Sequence, residues 1–491
     1  MNAVEVFISW LDDYLNFEKR PQKNIFWLDT IDFLCKRFDN PQDFAPNFHV
    51  AGSKGKGSVS RMIASILQEA GYKTGVYSSP HILDFRERIT FPDSFLPEEI
   101  YEQTVKQLVP KIESIIPEEL PAQRPLTWFE LVTLYAFLCF KNAQVDWAVY
   151  EVGLGGRLDA TNILRPKLCC ITPIELEHSE FLGDTIEKVA AEKAGIIKKC
   201  TPVIVAKQQS ESVKNVFKEK AKENYAPCYF IDELVNKIDY SFDSNSKSMS
   251  ILLESPIFDR QIKTNLSLLG SKHAENAAMA AVAIKKLFPN MDESVIEKGL
   301  AKAKLPGRFE ICDSVIFDGA HTYNSIKLTL ETLDALYPEK TVNLLFACAA
   351  DKDIKDISLL FKNKFNKIYL TIPGSQKQSD LHAEIEAFKN AKLDFTSDID
   401  YKKIIKQALD ESKEKDEINE VDINLNQVYR IFKQQTKRLH DLYFNGNIKS
   451  MQLTLYDKEE YIRIQVNNCT LSIPQNIVGL GLHMICSQIE H

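Results

Sequence analysis

The stretch His49-Val-Ala-Gly-Ser-Lys-Gly-Lys-Gly-Ser58 decides the fold of this chain. Upstream of it, Phe44 to Val50 reads as a short strand. Downstream, Val59 to Ala70 carries helical spacing, with Met62, Ile63, Ile66 and Leu67 on one face. Strand, glycine loop and helix in that order is the context that gives a glycine-rich run meaning. Gly52, Gly55 and Gly57 permit tight backbone geometry and close approach by phosphate oxygens. The helix N-terminus adds free amides and a partial positive charge. Lys56 is placed to neutralise phosphate, and Ser58 to offer a hydroxyl to Mg2+. The spacing departs from the strict Walker pattern, because Gly57 stands between Lys56 and Ser58. An ordinary glycine turn is the plain alternative.

Outward from this loop, strands alternate with helices. Gly75–Ser79, Val145–Val152, Leu168–Pro173 and Pro202–Ala206 read as strands. Helices are expected over residues 3–17, 27–38, 97–117, 127–141 and 185–197, the fourth apolar enough to be buried on most sides. This alternation predicts a mainly parallel, doubly wound sheet. From 226 to 269 the pattern changes to short alternating runs, such as Ser248–Glu254 and Gln261–Leu269, which suggest an antiparallel annex. Helices follow at 274–288 and 292–303. Leu305-Pro-Gly-Arg308 punctuates the chain as a hinge. Beyond it, Ser314–Asp318, Val342–Cys348 and Lys367–Ile372 read as strands, with helices near 323–337, 354–364 and 380–390. Residues 411–421 are charge-rich and read as a linker or a solvated helix end. The tail suggests a basic amphipathic helix near Val428–Leu442 and strands at Ser450–Leu455 and Tyr461–Val466.

The expected class is therefore α/β: a P-loop-type, mainly parallel sheet domain with a small β annex (1–304), a smaller Rossmann-like α/β domain (305–412) and an unassigned C-terminal tail (413–491). A chain of 491 residues has room for these units, and 44% apolar with 26% charged residues is a globular composition. The net charge of -8 gives no global case for nucleic acid or membrane binding. Ten scattered cysteines with no CxxC pair point to a reducing, cytoplasmic setting. No signal peptide is visible, and the apolar run Leu131–Phe140 is too short to span a bilayer.

Further chemistry gathers at strand ends. Glu151 closes a buried strand and precedes Val-Gly-Leu-Gly-Gly-Arg-Leu-Asp-Ala-Thr-Asn162. A carboxylate there faces the crevice where such sheets bind ligands. Glu177-His178 follows the next strand and is placed to hold a metal with Glu151. Lys193 lies on an otherwise apolar helix face. Taken singly, His178 more often reads as a structural or surface histidine, and Lys193 as a snorkelling side chain.

Together these stretches resemble the folylpolyglutamate synthase/dihydrofolate synthase family of the Mur ligase superfamily. The motifs that carry the resemblance are the 49–58 loop, Tyr77-Ser-Ser-Pro-His81, the long Glu151–Asn162 run, Leu182-Gly-Asp-Thr185, Glu192-Lys-Ala-Gly-Ile196, Pro306-Gly-Arg-Phe-Glu310, Asp318-Gly-Ala-His321 and Asp351-Lys-Asp353. The resemblance implies an ATP-dependent ligase that phosphorylates a folate carboxylate and joins it to L-glutamate. It implies ATP and Mg2+ as cofactors, small-molecule partners (folate, L-glutamate and ATP) with no nucleic acid or membrane, and a monomer. It assigns Gly52, Gly55, Lys56, Gly57 and Ser58 to the triphosphate, and Asn276, Arg308 and Asp318 to ATP. Ser58, Ser79, Glu151, His178 and Lys193, the last as a carbamate, fall to the metal ions. Lys56, Lys193 and His321 fall to catalysis. Thr127, Trp128, Phe129 and Glu130 with Leu158, Asp159 and Ala160 fall to the folate pocket. A bifunctional enzyme that also makes dihydrofolate from dihydropteroate, a Mur-type cell-wall amino-acid ligase and a non-catalytic nucleotide-binding switch remain alternatives.

Four departures stand out. Glu177 occupies a position where the family usually has Asp. Thr322 follows His321 where Asn is usual. The stretch Phe17–Asp29 lacks the glycine-bearing turn of dual-function members, which favours folylpolyglutamate synthesis over dihydrofolate synthesis. The family's closing strand with its Thr-Gly-Ser turn has no visible counterpart.

Overall fold

The computed structural model describes residues 3–16, 27–82, 84–176, 179–208, 210–312, 314–338, 342–350, 352–373, 379–413, 418–423, 451–454, 461–466 and 469–474. They divide into two units, residues 1–424 and 425–491.

The first unit is built on a seven-stranded sheet. Its strands are β1 (Asn47–Ala51), β2 (Thr74–Tyr77), β3 (Ile89–Thr90), β4 (Trp147–Glu151), β5 (Leu168–Ile171), β6 (Val203–Val205) and β7 (Cys228–Phe230), in the order β3-β2-β4-β1-β5-β6-β7. All neighbours are parallel except β2 and β3. β1 is buried along its whole length, as a central strand covered on both faces must be. From β1 the chain crosses to β2, leaves a gap that β4 later fills, and then sets β5 on the other side of β1. The crevice at the carboxyl ends of β1, β4 and β5 is thus the switch point where an open α/β sheet binds ligands.

Helices cover both faces. On one, Ala3–Leu11, Asp29–Arg37, Glu98–Glu113 and Trp128–Asn142 form an apolar cluster with Phe7, Leu34, Leu108 and Phe137 at its centre. On the other lies the helix Lys56–Glu69, which carries the glycine loop at its start. Ser271–Leu287 and Glu293–Lys302 pack on it. A Cβ on Gly299 would stand 2.4 Å from the Ile66 Cα, so only glycine allows this backbone-to-backbone approach. The approach clamps the loop helix from its solvent side.

The annex is the antiparallel sheet of β8 (Lys237–Asp243), β9 (Ser248–Glu254) and β10 (Ile262–Leu266). It is narrower than its expected span, because β7 belongs to the central sheet. A second sheet holds β11 (Glu310–Cys312), β12 (Val315–Asp318), β13 (Val342–Phe346), β14 (Ile368–Leu370), β15 (Thr396–Ser397) and β16 (Ile418–Ile423), in the order β11-β12-β16-β13-β14-β15. Its apolar core is continuous with the annex, and Lys247 of the annex donates to the Leu336 carbonyl at 2.6 Å.

Two corrections to the sequence reading follow. The charge-rich stretch 411–421 is not a linker throughout: its end enters β16, which pairs in parallel with both β12 and β13. Composition hid this strand because backbone pairing, not an apolar run, inserts it between two others. A helix at Glu211–Glu223 also went unread. The second unit contains β17 (Met451–Thr454), β18 (Tyr461–Val466) and β19 (Cys469–Pro474), an antiparallel sheet. The expected helix at Val428–Leu442 lies outside the described residues. No helix among the described residues is long and apolar enough to cross a membrane.

Candidate active site

The glycine loop leaves β1 with Gly52 at φ +142°, where an added Cβ would stand 1.8 Å from Thr172 Oγ1. Ser53 N then donates to the Pro173 carbonyl at 3.0 Å, and Ser53 Oγ to that of Glu175 at 3.1 Å. The loop is therefore sewn to the chain leaving β5. Gly55, at φ +88°, is the N-cap of the loop helix. Its missing side chain leaves room for Asn276, whose Oδ1 would lie 2.8 Å from a Cβ there.

Two lysines converge on one atom of this loop. Lys56 Nζ donates to the Gly52 carbonyl at 3.0 Å, and Lys193 Nζ donates to the same oxygen at 2.9 Å. Lys193 is 2% exposed and comes from the helix Ile186–Ala194. The glycine run after β4 lies flush over the end of that helix. A Cβ on Gly156 would meet the Glu192 carbonyl at 2.8 Å, and one on Gly195 would meet the Arg157 Cα at 2.5 Å.

Glu151, 6% exposed, ends β4 against the same loop. Its Oε2 lies 3.3 Å from where a Gly57 Cβ would be and accepts from Ser79 N at 3.4 Å. Burial pushes its carboxyl up, while Lys56, the Ser79 amide, Arg308 and Arg61 pull it down. Ser58 is buried in the first turn of the loop helix. A hard divalent cation takes oxygen ligands, and a buried carboxylate against a glycine loop that also carries a serine is of that donor type. Among the described residues no three His, Cys, Asp or Glu side chains form a metal-sized group. His178, expected as a ligand, lies outside the described residues.

The hinge touches this loop directly. Leu305 Cδ2 lies 3.4 Å from a Cβ built on Gly57, and Ile82 Cδ1 lies 3.1 Å from one on Gly307, which holds φ +67°. Asp318 organises the next turn, accepting from Phe309 N at 2.7 Å, Ala320 N at 2.8 Å and Thr329 Oγ1 at 3.1 Å. Burial raises its carboxyl, opposed first by the Arg308 guanidinium. His321 Nδ1 lies 2.9 Å from the Gly319 carbonyl, and since a carbonyl only accepts, that nitrogen carries the proton. Thr322 caps the helix Tyr323–Leu336 through a capping box with Ser325. Thr and Asn both serve as N-caps, so this departure keeps the local geometry.

On the far side of β4, Thr127 caps the helix Trp128–Asn142 through a capping box with Glu130. Glu130 Oε2 accepts from Thr127 N and Oγ1, so this carboxylate is occupied by its own helix start. Trp128 is buried under the Arg88 guanidinium, 4.8 Å from the ring centroid, and Arg88 Nε donates to His81 Nδ1 at 2.7 Å. Phe129 packs on Gly153, with Cζ 2.5 Å from a Cβ built there. Leu158 is half-buried, and Asp159 and Ala160 are buried. Both ends of the stretch 17–26, itself outside the described residues, are tied to this corner. Trp128 N donates to the Leu15 carbonyl at 2.9 Å, and Arg124 pairs with Asp29.

The structure thus brings Gly52, Gly55, Lys56, Gly57, Ser58, Ser79, Glu151, Lys193 and Asn276 to one loop, with Arg308 acting on Glu151 from the hinge. It sets Thr127–Glu130 and Leu158–Ala160 on the neighbouring corner. One candidate escaped the sequence reading. His273 lies in the first turn of Ser271–Leu287, its Nδ1 buried without a partner among the described residues, and burial and Arg308 lower it to about 4. Its signal was the spacing to Asn276, three residues on and so on the same helix face.

The chain resembles known ligases over most of its length. Residues 50–284 match the Mur ligase middle domain, and residues 307–418 match the Mur ligase, glutamate ligase domain. The chain is 32% identical to the dihydrofolate synthase/folylpolyglutamate synthase of Bacillus subtilis over 71% of its own length and 80% of that protein's. It is 34% identical to the protein of that name from Escherichia coli, over 72% and 78%. A Mycobacterium tuberculosis folylpolyglutamate synthase, solved with ADP and AMPPCP, superposes with a TM-score of 0.76 at 25% identity, covering 88% of this chain and 98% of that one.

Proposed function

Since the chain belongs to the folylpolyglutamate synthase/dihydrofolate synthase family of Mur-type ligases, we propose that it adds L-glutamate to a folate at the expense of ATP. The γ-phosphate passes to the terminal carboxylate of the folate. The glutamate amine then attacks the acyl phosphate, the amide bond forms and phosphate leaves. The observation that carries this reading is the meeting of Lys56, Lys193 and Glu151 around the Gly52–Ser58 loop, at the switch point of the sheet.

The chain's residues divide the work. The loop amides and Lys56 receive the triphosphate. Lys56 swings from the Gly52 carbonyl to the phosphates and screens the approach of two anions. Asn276, Arg308, Asp318 and His273 border the nucleotide, and His321 stands near the reacting groups. Ser58, Ser79 and Glu151, with His178 and carbamylated Lys193, would hold Mg2+. That ion, when bound, supplies charge neutralisation to the transferring phosphoryl group. Trp128, Phe129, Leu158 and Ala160 wall the folate side, while Thr127, Glu130 and Asp159 fix the backbone around it. Closure about Gly307 would exclude water from the acyl phosphate.

This reading takes the enzyme to be a monomer of the cytoplasm, and the cysteines whose side chains are described are all free, as a reducing setting keeps them. The test is a single assay of the purified chain with ATP, L-glutamate and tetrahydrofolate. The expected result is folate lengthened by glutamate with one ADP released per residue added. Glutamate-independent ATP turnover without a lengthened product contradicts the reading.

A further inference from the structure

A buried chain of hydrogen bonds runs beneath the folate corner. His49, on β1 and 0% exposed, has Nε2 2.8 Å from Thr161 Oγ1. Thr161 Oγ1 donates to Asp159 Oδ1 at 2.5 Å. A hydroxyl has one proton to give, so with that proton on Asp159 it must accept from His49. This fixes the imidazole as its Nε2–H tautomer. The buried Nδ1 has no partner among the described residues, so placing the proton there would leave a donor unsatisfied. Burial and nearby Lys198 hold the ring neutral, with its ordinary value lowered to about 3.

The carboxylate at the other end is saturated. Asp159 Oδ1 also accepts from Thr161 N at 3.0 Å, while Oδ2 takes Gly153 N at 3.0 Å and Leu154 N at 2.9 Å. Four donors fill the acceptor sites of a carboxylate. All four belong to its own loop, so Asp159 shapes that loop rather than reaching out of it. The loop matters because Gly153 is the surface on which Phe129 rests, two residues beyond Glu151.

We propose that Thr161 and His49 are positioning residues of the folate site: they orient Asp159, and through it the Gly153–Leu154 turn that seats Phe129. The proposal rests on the folate-ligase reading for the identity of the ligand. Buried networks of this kind act as units, so breaking the middle member disturbs both ends.

The test compares Thr161→Val with Thr161→Ser in the full-length chain. The valine variant keeps the shape and removes the hydroxyl. Its KM for tetrahydrofolate is expected to rise roughly tenfold, the scale of one buried hydrogen bond, with the KM for ATP unchanged. Serine restores the hydroxyl and is expected to restore the folate KM. Wild-type constants in Thr161→Val, an equal loss for ATP and folate, or a serine variant as impaired as the valine one overturns the proposal. Should Thr161→Val fail to fold, nitrogen-15 NMR of histidine-labelled wild type decides. A neutral Nε2–H ring for His49 that does not titrate between pH 5 and 8 supports the chain, and an Nδ1–H or titrating ring overturns it. A wild type that lengthens no folate but shows that ring separates failure of the functional reading from failure of this proposal.

Discussion

Lys56 and Lys193, from two different helices, place their ammonium nitrogens on the same carbonyl oxygen, that of Gly52, at 3.0 and 2.9 Å. Glu151 ends β4 against the same loop, and Lys56 is the first of the groups that pull its carboxyl down. We propose that a bound triphosphate draws Lys56 off this oxygen and that Lys193 carries a carbamate.

Replacing Lys56 by alanine therefore removes catalysis and leaves the fold. The side chain is only half-buried and caps no core. A rate loss of about two orders of magnitude or more is expected for a positioned charge stabiliser. Turnover and melting temperature of Lys56→Ala, measured together, check this. Near-normal turnover rules out the phosphate-cradle role.

Lys193 is expected to carry a carbamate. Forming one requires a neutral amine, and the neighbouring Lys56 ammonium favours the resulting anion. Bicarbonate should raise wild-type activity, and small carboxylic acids should partly rescue Lys193→Ala. Native mass spectrometry or crystallography at saturating bicarbonate reads the modification directly, and a bare lysine there contradicts it.

Gly55→Ala should weaken ATP binding more than it weakens the fold. The residue sits at φ +88°, and the new Cβ would stand 2.8 Å from Asn276 Oδ1. Strain of about 1–3 kcal/mol at such a site is enough to displace Asn276 or the loop. Calorimetric titration with a non-hydrolysable ATP analogue is expected to show affinity falling by roughly an order of magnitude. Unchanged affinity would mean that the glycine is dispensable.

Glu384 makes stability depend on pH. It is 2% exposed and accepts from Cys348 N at 3.2 Å. Burial pushes its carboxyl up to about 8, from 4.5. The folded chain therefore keeps a proton that the unfolded chain has already lost. This contribution is fully present below pH 4.5 and fades as pH rises to about 8. The slope is at most about 1.4 kcal/mol per pH unit. Glu384→Gln keeps an acceptor for Cys348 and cannot ionise. Its advantage over wild type in thermal melts should widen from pH 5 to pH 8; parallel melting curves across that range count against the buried-acid reading.

The enzyme should lengthen folates and make little dihydrofolate from dihydropteroate. Dihydropteroate lacks the first glutamate, so its pterin must sit differently to bring the carboxylate to the γ-phosphate. The stretch Phe17–Asp29 has no glycine turn to support that second pose, although both its ends are fastened beside Trp128. Misplacement by about an ångström costs on the order of a hundredfold in rate. Steady-state kinetics on the two substrates decide, and similar kcat/KM values identify a dual-function enzyme.

Local sequence by itself determined the strand–loop–helix unit at 47–69 and the alternation that makes a parallel sheet, and it named the candidate site residues. Each rests on information within a few residues: apolar period, glycine placement and strand-end position. What lies far apart in the chain was decided only by the tertiary fold. Lys56 and Lys193 share Gly52 because the crossover through β4 and β5 returns the helix Ile186–Ala194 to the start of the loop helix. The family resemblance gives Asp159 to the folate pocket, and only the fold shows its carboxylate bonded to Gly153, Leu154 and Thr161. β16 carries too few apolar residues to announce itself and exists because β12 and β13 leave an unpaired gap that backbone amides and carbonyls must fill. Side-chain type and local period are written along the chain, whereas a partner across the sheet is set by how the strands cross.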